Sequence, residues 1–312
     1  MSAPSESSST YPPLPPDTAV LLIGHGSVER AEDIPAFVSN IRRGRPTPQA
    51  IVDEVTHRWT AIGGSPLQAI SRAQAAALQQ RLGVPVVVAG RLFHPYAQEV
   101  VAGLAARGAR RVLSLPVAPY SVAIYNETTR AACSSAGVSC VESPPWGGEP
   151  ALIDAFADVT RDALGALEAR DEARREAAHV LFTAHSLPTR VIAAGDAYER
   201  EVRATGALVA SALGRSSRTS IAFQSQGMDG GEWLGPDLVT ALDALARDGI
   251  RDVVVTAIGF LADHTEVLYD LDVEARALAE ARGLSFTRAA SLNVHPRFID
   301  ALEGVARRAL ET

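Results

Sequence analysis

The sequence predicts an α/β protein of two similar lobes, each an open parallel sheet with helices on both faces, with the active-site cleft between them. From residue 18 onward, short β-branched runs alternate with longer Ala/Leu/Arg segments of helical period, which is the pattern of a parallel sheet covered by helices. The two halves also echo each other. AVLLIGHGS (19–27) and HVLFTAHSLP (179–188) each run from an apolar strand into a His, with a Ser at once or one residue later. GARRVLSLPVAPYS (108–121) and GIRDVVVTAIGFLADH (249–264) share a Gly-x-Arg lead into a buried strand followed by a long loop. Matching segments lie about 140–160 residues apart, a duplication of a whole domain rather than a solenoid repeat.

The elements follow in order. Residues 1–17, dense in Ser and Pro, read as a disordered leader outside the fold. The clearest strands are 19–24, 84–90, 110–116, 179–184, 219–225 and 251–258, each a short apolar run bounded by turn residues. Helical period marks 67–82, 96–107, 122–136, 150–170, 198–213, 236–247, 265–281 and 296–310. Pro and Gly break the pattern at 142–150 (ESPPWGGEP), so we divide the chain into lobes 18–146 and 147–312, with the last helix free to pack back on the first lobe.

Composition narrows the function. The chain has 312 residues, 47% apolar, enough to bury a core without staples. A net charge of -7 argues against a nucleic-acid surface, which needs clustered cations in excess. All 29 basic residues are Arg, which we read as a trace of a GC-rich genome. Two cysteines, Cys133 and Cys140, form neither a CxxC pair nor a disulfide framework and cannot make a four-Cys iron–sulfur site. With neither a membrane-length apolar run nor a secretory signal, the expected place is a reducing cytoplasm.

In open α/β sheets ligands bind outside the carboxyl ends of strands, so His25, His185 and the segment after Ile258 are the positions to weigh. An isolated loop His is usually satisfied by a backbone carbonyl. The mirrored pair of strand-end histidines favours a site. In ADHTEVLYDLDVE (262–274), Glu266, Asp270 and Glu274 recur at i, i+4 and i+8, which puts three carboxylates on one helical face. A solvated acidic face and a path for cations are both open readings. Arg42, Arg43 and Arg45 could fork around a carboxylate or simply form a basic turn. Arg58, Trp59 and Ser65 in HRWTAIGGSPL could grip the same anion. His94, Tyr125, Trp146 and Gln224 are weaker candidates, and His264 is set aside because a cap or core role suits it as well. No segment fits GxGxxG or GxxxxGK[ST].

The order NIRRGRP, AIGGSPL, GRLFHPY, AHSLP, GDAYER, FQSQG, WLGPD, LADHTEVLYDLD and LNVHPRFIDAL resembles ferrochelatase, the family that inserts ferrous iron into porphyrins. It is most similar to the compact type that metallates coproporphyrin III; protoporphyrin IX is the next choice. The resemblance implies Rossmann-like chelatase-type lobes, ferrous iron as a substrate, no organic cofactor, no iron–sulfur cluster and a monomer. It also leaves peripheral membrane contact at an apolar cleft lip open. It makes His185 the metal-site histidine and Glu266 its acidic partner, with Asp270 and Glu274 continuing a metal or proton line to the surface. His25, Arg42, Arg43, Arg58, Trp59, Ser65 and Tyr125 fall at the ring and its propionates. Two departures stand out: His25 replaces the usual Tyr, Met or Leu, and the loop from Pro119 to Tyr125 is short. LLIGHGS resembles the small chelatases of sirohydrochlorin-type rings, so the rival readings are such a chelatase or a porphyrin carrier.

Overall fold

A computed structural model describes residues 12–168, 172–227 and 231–311. The first half runs β1 (Thr18–Gly24), α1 (Ile34–Ile41), α2 (Gln49–Ala61), α3 (Leu67–Leu82), β2 (Val86–Gly90), α4 (Ala97–Ala106), β3 (Arg111–Pro116), α5 (Val122–Ala136) and β4 (Ser139–Glu142). After α6 (Pro150–Glu168) and α7 (Glu172–Ala177), the second half runs β5 (His179–His185), α8 (Thr189–Ala193), α9 (Tyr198–Ala212), β6 (Thr219–Gln224), α10 (Leu238–Arg247) and β7 (Asp252–Thr256). It ends with α11 (Thr265–Leu268), a π-helical segment Asp270–Ala275, α12 (Arg276–Glu280), β8 (Ser285–Arg288) and α13 (Pro296–Glu311).

The strands form two four-stranded parallel sheets, in the orders β2-β1-β3-β4 and β6-β5-β7-β8. The orders are the same, so β1 corresponds to β5 and His25 to His185. Alternation along each strand sends side chains to both faces. Val20 and Leu22 join the core shared with α3 and α13, whereas Ala19, Leu21 and Ile23 pack towards α4 and α5. In the second sheet Val180 and Phe182 face that shared core and Leu181, Val253 and Val255 face the opposite cluster.

The shared core does not stop at either sheet. It runs from Leu113 and Leu115 through Phe156 and Phe298 to Phe182 and Phe223, all buried. Helix α13 packs on α6 but also on α3 and β3 of the first lobe, and Arg111 donates to Leu310 O at 3.1 Å. Of the leader, residues 1–11 lie outside the described residues. Residues 12–17 are placed: Leu14 packs against the shared core and Arg307 donates to Pro12 O at 3.3 Å.

Four elements differ from the sequence reading. β4 and β8 are four-residue edge strands, half exposed, with no apolar run to announce them. Helix α2 has no fully buried residue; its apolar stripe, Ile51, Val52, Val55 and Trp59, is only partly covered by a small satellite cluster. The stretch 265–281 is not one α-helix: Glu274 N bonds Tyr269 O at 3.0 Å, an i→i+5 bond that widens the turn.

Candidate active site

His185 is the last residue of β5 and is half-buried. Its Nδ1–H donates to Ser186 O, a carbonyl that can only accept, so Nε2 carries the lone pair of the neutral ring. The backbone around it is pinned on three sides. Tyr198 Oη donates to His185 O at 2.8 Å, Ser186 N to Gln224 O at 2.7 Å, and Gly259 N to Thr183 O at 3.0 Å. A Cβ on Gly259 would stand 2.5 Å from Ala184 Cα, so only glycine lets that loop pass the strand end.

That loop delivers the acidic partner. Glu266, in the first turn of α11, places Oε2 3.7 Å from His185 Nε2 and 3.8 Å from His264 Nε2. His264 likewise donates Nδ1–H to Ala262 O at 3.1 Å, which aims its second nitrogen at Glu266. Burial alone would raise the carboxyl, but the neighbouring imidazoles of His185, His264 and His25, which become cations as pH falls, outweigh it, and its pKa falls to about 2. Gln224 ties the pieces together. It pairs with His185 across β5 and β6 and donates Nε2 to Glu266 O at 3.1 Å.

The next carboxylates climb the π-helical segment. Asp270 is buried, accepts from Ser225 Oγ, and accepts from Arg58 Nη1 at 2.9 Å. Burial dominates its titration, with Glu266 and Glu274 adding to it against Ser225 and Arg58, and its pKa rises to about 6. Glu274 is the outer member, half in solvent and 3.4 Å from Arg58 Nη2. A wide π-turn brings residues four apart nearly above one another, so the acidic line forms with a geometry the i, i+4 count did not anticipate.

Arg58 itself reaches across the cleft from α2. The resemblance places it at ring carboxylates; here its three nitrogens meet Glu54 at 2.6 Å, Asp270 and Glu274, and its Cζ lies 5.0 Å from the Tyr269 ring centroid. Trp59 packs in the small cluster of α1 and α2 against Gly64, where φ is +100° and a Cβ would meet the ring at 3.2 Å. Ser65 lies just before α3, its Oγ 3.5 Å from Leu67 N. Arg42 is half-buried and donates Nε to Pro46 O at 3.2 Å; Arg43 is exposed, in a left-handed turn at φ +54°.

His25 follows β1 on the opposite wall. It lies between the lobes with its ring open to the cleft, 3.4 Å from the hydroxyl of buried Tyr125 through Nδ1. The surrounding protein, joined by the charges of Arg91, His185 and His264 and opposed by Glu266, lowers its pKa to about 4 and leaves it neutral. The weaker candidates separate. Trp146 is core, stacked on Phe298 and bonded to Pro116 O, and His94 is exposed beside Glu99. His264, set aside earlier, belongs to the site, and its position two residues before Glu266 at the helix start was the available signal. Among the described residues no three His, Cys, Asp or Glu side chains are grouped to hold a metal ion.

The fold and this arrangement define a two-lobed α/β enzyme with an imidazole–carboxylate centre at the sheet ends and an acidic line leading from it. The family profile described as Ferrochelatase matches residues 17–310. The ferrochelatase of Acidobacterium capsulatum is 37% identical over 94% of this chain and 94% of its own length. That of Deinococcus radiodurans is 35% identical over 93% and 95%. The coproporphyrin III ferrochelatase of Nocardia farcinica is 34% identical over 94% and 90%. The chain belongs to the ferrochelatase family. It is a lyase of haem biosynthesis, with a porphyrin and ferrous iron as substrates. No helix among the described residues is long and apolar enough to cross a membrane.

Proposed function

We propose that this cytoplasmic enzyme inserts ferrous iron into coproporphyrin III, with His185 as the base that receives the pyrrole protons. The observation that carries the reading is the free Nε2 of His185, held towards the cleft by its Nδ1–H bond to Ser186 O and 3.7 Å from Glu266 Oε2. Insertion removes two N–H protons from the ring as iron loses its waters. A neutral imidazole takes such a proton, the Glu266 carboxylate stabilises the imidazolium that results, and Asp270 and Glu274 exchange protons or cations with solvent. Two donors, His185 and Glu266, hold a divalent ion only weakly, which suits a cation in transit to four ring nitrogens.

His25, neutral at physiological pH, faces the other side of the ring and can contact the metal there. The coproporphyrin III preference is supported by relatives carrying that name at about one-third identity, among them those of Nocardia farcinica and Anoxybacillus flavithermus. The test is an anaerobic assay with ferrous iron and either coproporphyrin III or protoporphyrin IX, followed by absorbance. His185→Ala should lose at least about 100-fold with ring still bound. Near-normal turnover in that variant would remove His185 from its role, and preference for protoporphyrin IX would overturn the choice of ring.

A further inference from the structure

The two walls of the cleft differ in charge. On the wall of the second lobe stand Glu266, Asp270 and Glu274, and among the described residues Arg58 is the cation bonded to Asp270 and Glu274, its three nitrogens taken by them together with Glu54. Arg58 is therefore already engaged by carboxylates here, and a ring bearing several carboxylates has use for a further cation beside Arg42 and Arg43. On the wall of the first lobe stands Arg91, the residue after β2.

Its place is firmly built. Gly90 pairs with Gly24 in the sheet, Arg91 N donates to Gly24 O at 2.9 Å, and Leu92 N donates to His25 O at 2.9 Å. A Cβ on Gly90 would lie 2.1 Å from Phe93 O and 3.1 Å from Gly26 Cα, so glycine there lets the loops after the two strands pass this closely. The backbone of Arg91 is thus fixed beside His25 at the carboxyl edge of the sheet, where ligands of open α/β folds bind. Its side chain is half-buried and acts electrostatically on both His25 and Tyr125. Among the described residues it has no hydrogen-bond or ion-pair partner, in contrast to Arg58 and to Arg288, which is held by Asp263 and Asp272. A half-buried guanidinium fork without an anion is a costly arrangement unless an anion arrives. The matching position of the second lobe, after β6, is Ser225, which bonds Asp270. The duplicated frame thus offers one wall to the cation and the other to an anion.

We propose that Arg91 receives a carboxylate of the porphyrin on the His25 side of the cleft and so sets which edge of the ring enters first. This rests on the reading of the substrate as a carboxylate-bearing porphyrin. The experiment measures quenching of coproporphyrin III fluorescence without metal, with its tetramethyl ester as the uncharged control, for wild type, Arg91→Ala and Arg91→Lys. Arg91→Ala should weaken binding of the free acid about 10- to 100-fold and leave the ester unchanged, and Arg91→Lys should recover part of the loss. In turnover, the KM for the ring should rise while the KM for iron stays put.

Wild-type binding of the acid by Arg91→Ala, or equal losses for acid and ester, would overturn the inference while wild-type turnover upheld the functional reading. Failure of the wild type to bind or metallate any porphyrin would overturn both.

Discussion

Replacing Asp270 with Asn should make the protein more stable and a worse enzyme. Asp270 is 4% exposed, and burial, against the help of Ser225 and Arg58, raises its pKa from the ordinary 3.8 to about 6. Its folded pKa lies above the unfolded one, so the contribution to stability is complete below about pH 4 and is lost as pH rises through about 6. At about 1.36 kcal/mol per pH unit, the ionised carboxylate costs the fold about 3 kcal/mol at pH 7 relative to the protonated form. Asparagine stands in for that protonated form. Asp270→Asn should therefore gain about 3 kcal/mol at pH 7, shrinking to about 0.5 kcal/mol at pH 4. Urea denaturation of wild type and variant at pH 7, 5 and 4 measures both values, and the iron KM measured in parallel should rise. A variant less stable than wild type at pH 7, or a difference that does not change with pH, would refute the reasoning.

The His25 ring should titrate near pH 4 by NMR rather than near 6.5, because its surroundings between the lobes disfavour the cation. Its share of stability is complete above about pH 6.5 and is lost as pH falls towards 4, and a midpoint at the ordinary value would contradict this picture of the cleft. Gly259→Ala should cost about 1–3 kcal/mol, since the new methyl has to displace the Ala184 backbone beside His185. Its melting temperature and turnover should fall together; an unchanged melting curve would show that the strand end yields freely.

The sequence exposed the sheet interiors because strands buried on both faces read as apolar runs, and it marked His185 as a candidate because ligands of open α/β folds bind at strand ends. What stayed hidden depends on geometry that local pattern does not encode. The edge strands β4 and β8 are four residues long with at most one buried side chain, Phe286, and α2 packs only on a small satellite cluster. The i, i+4 spacing of Asp270 and Glu274 was visible, but the extra residue in the turn was not. Arg58 could be recognised as an important cation, yet two of its three carboxylate partners lie more than 200 residues away in the other lobe. Arg91 gave no signal at all in a chain whose every basic residue is Arg.

The core that passes through both lobes decides how a flat molecule can enter. Tyr120 of the first lobe donates to Ile258 O of the second at 2.9 Å, Gln74 donates to Asn293 O at 2.8 Å, and α13, from the end of the chain, packs on α3 and β3 of the first half. Jaws joined at the root in this way cannot swing apart, so the gap acts as a slot of set width, and a ring slides in edge-on and its metallated form leaves by the same track. The α1–α2 segment is packed by its own small cluster and fastened to the far side through Arg58, so the slot is bridged at one edge by an ion pair.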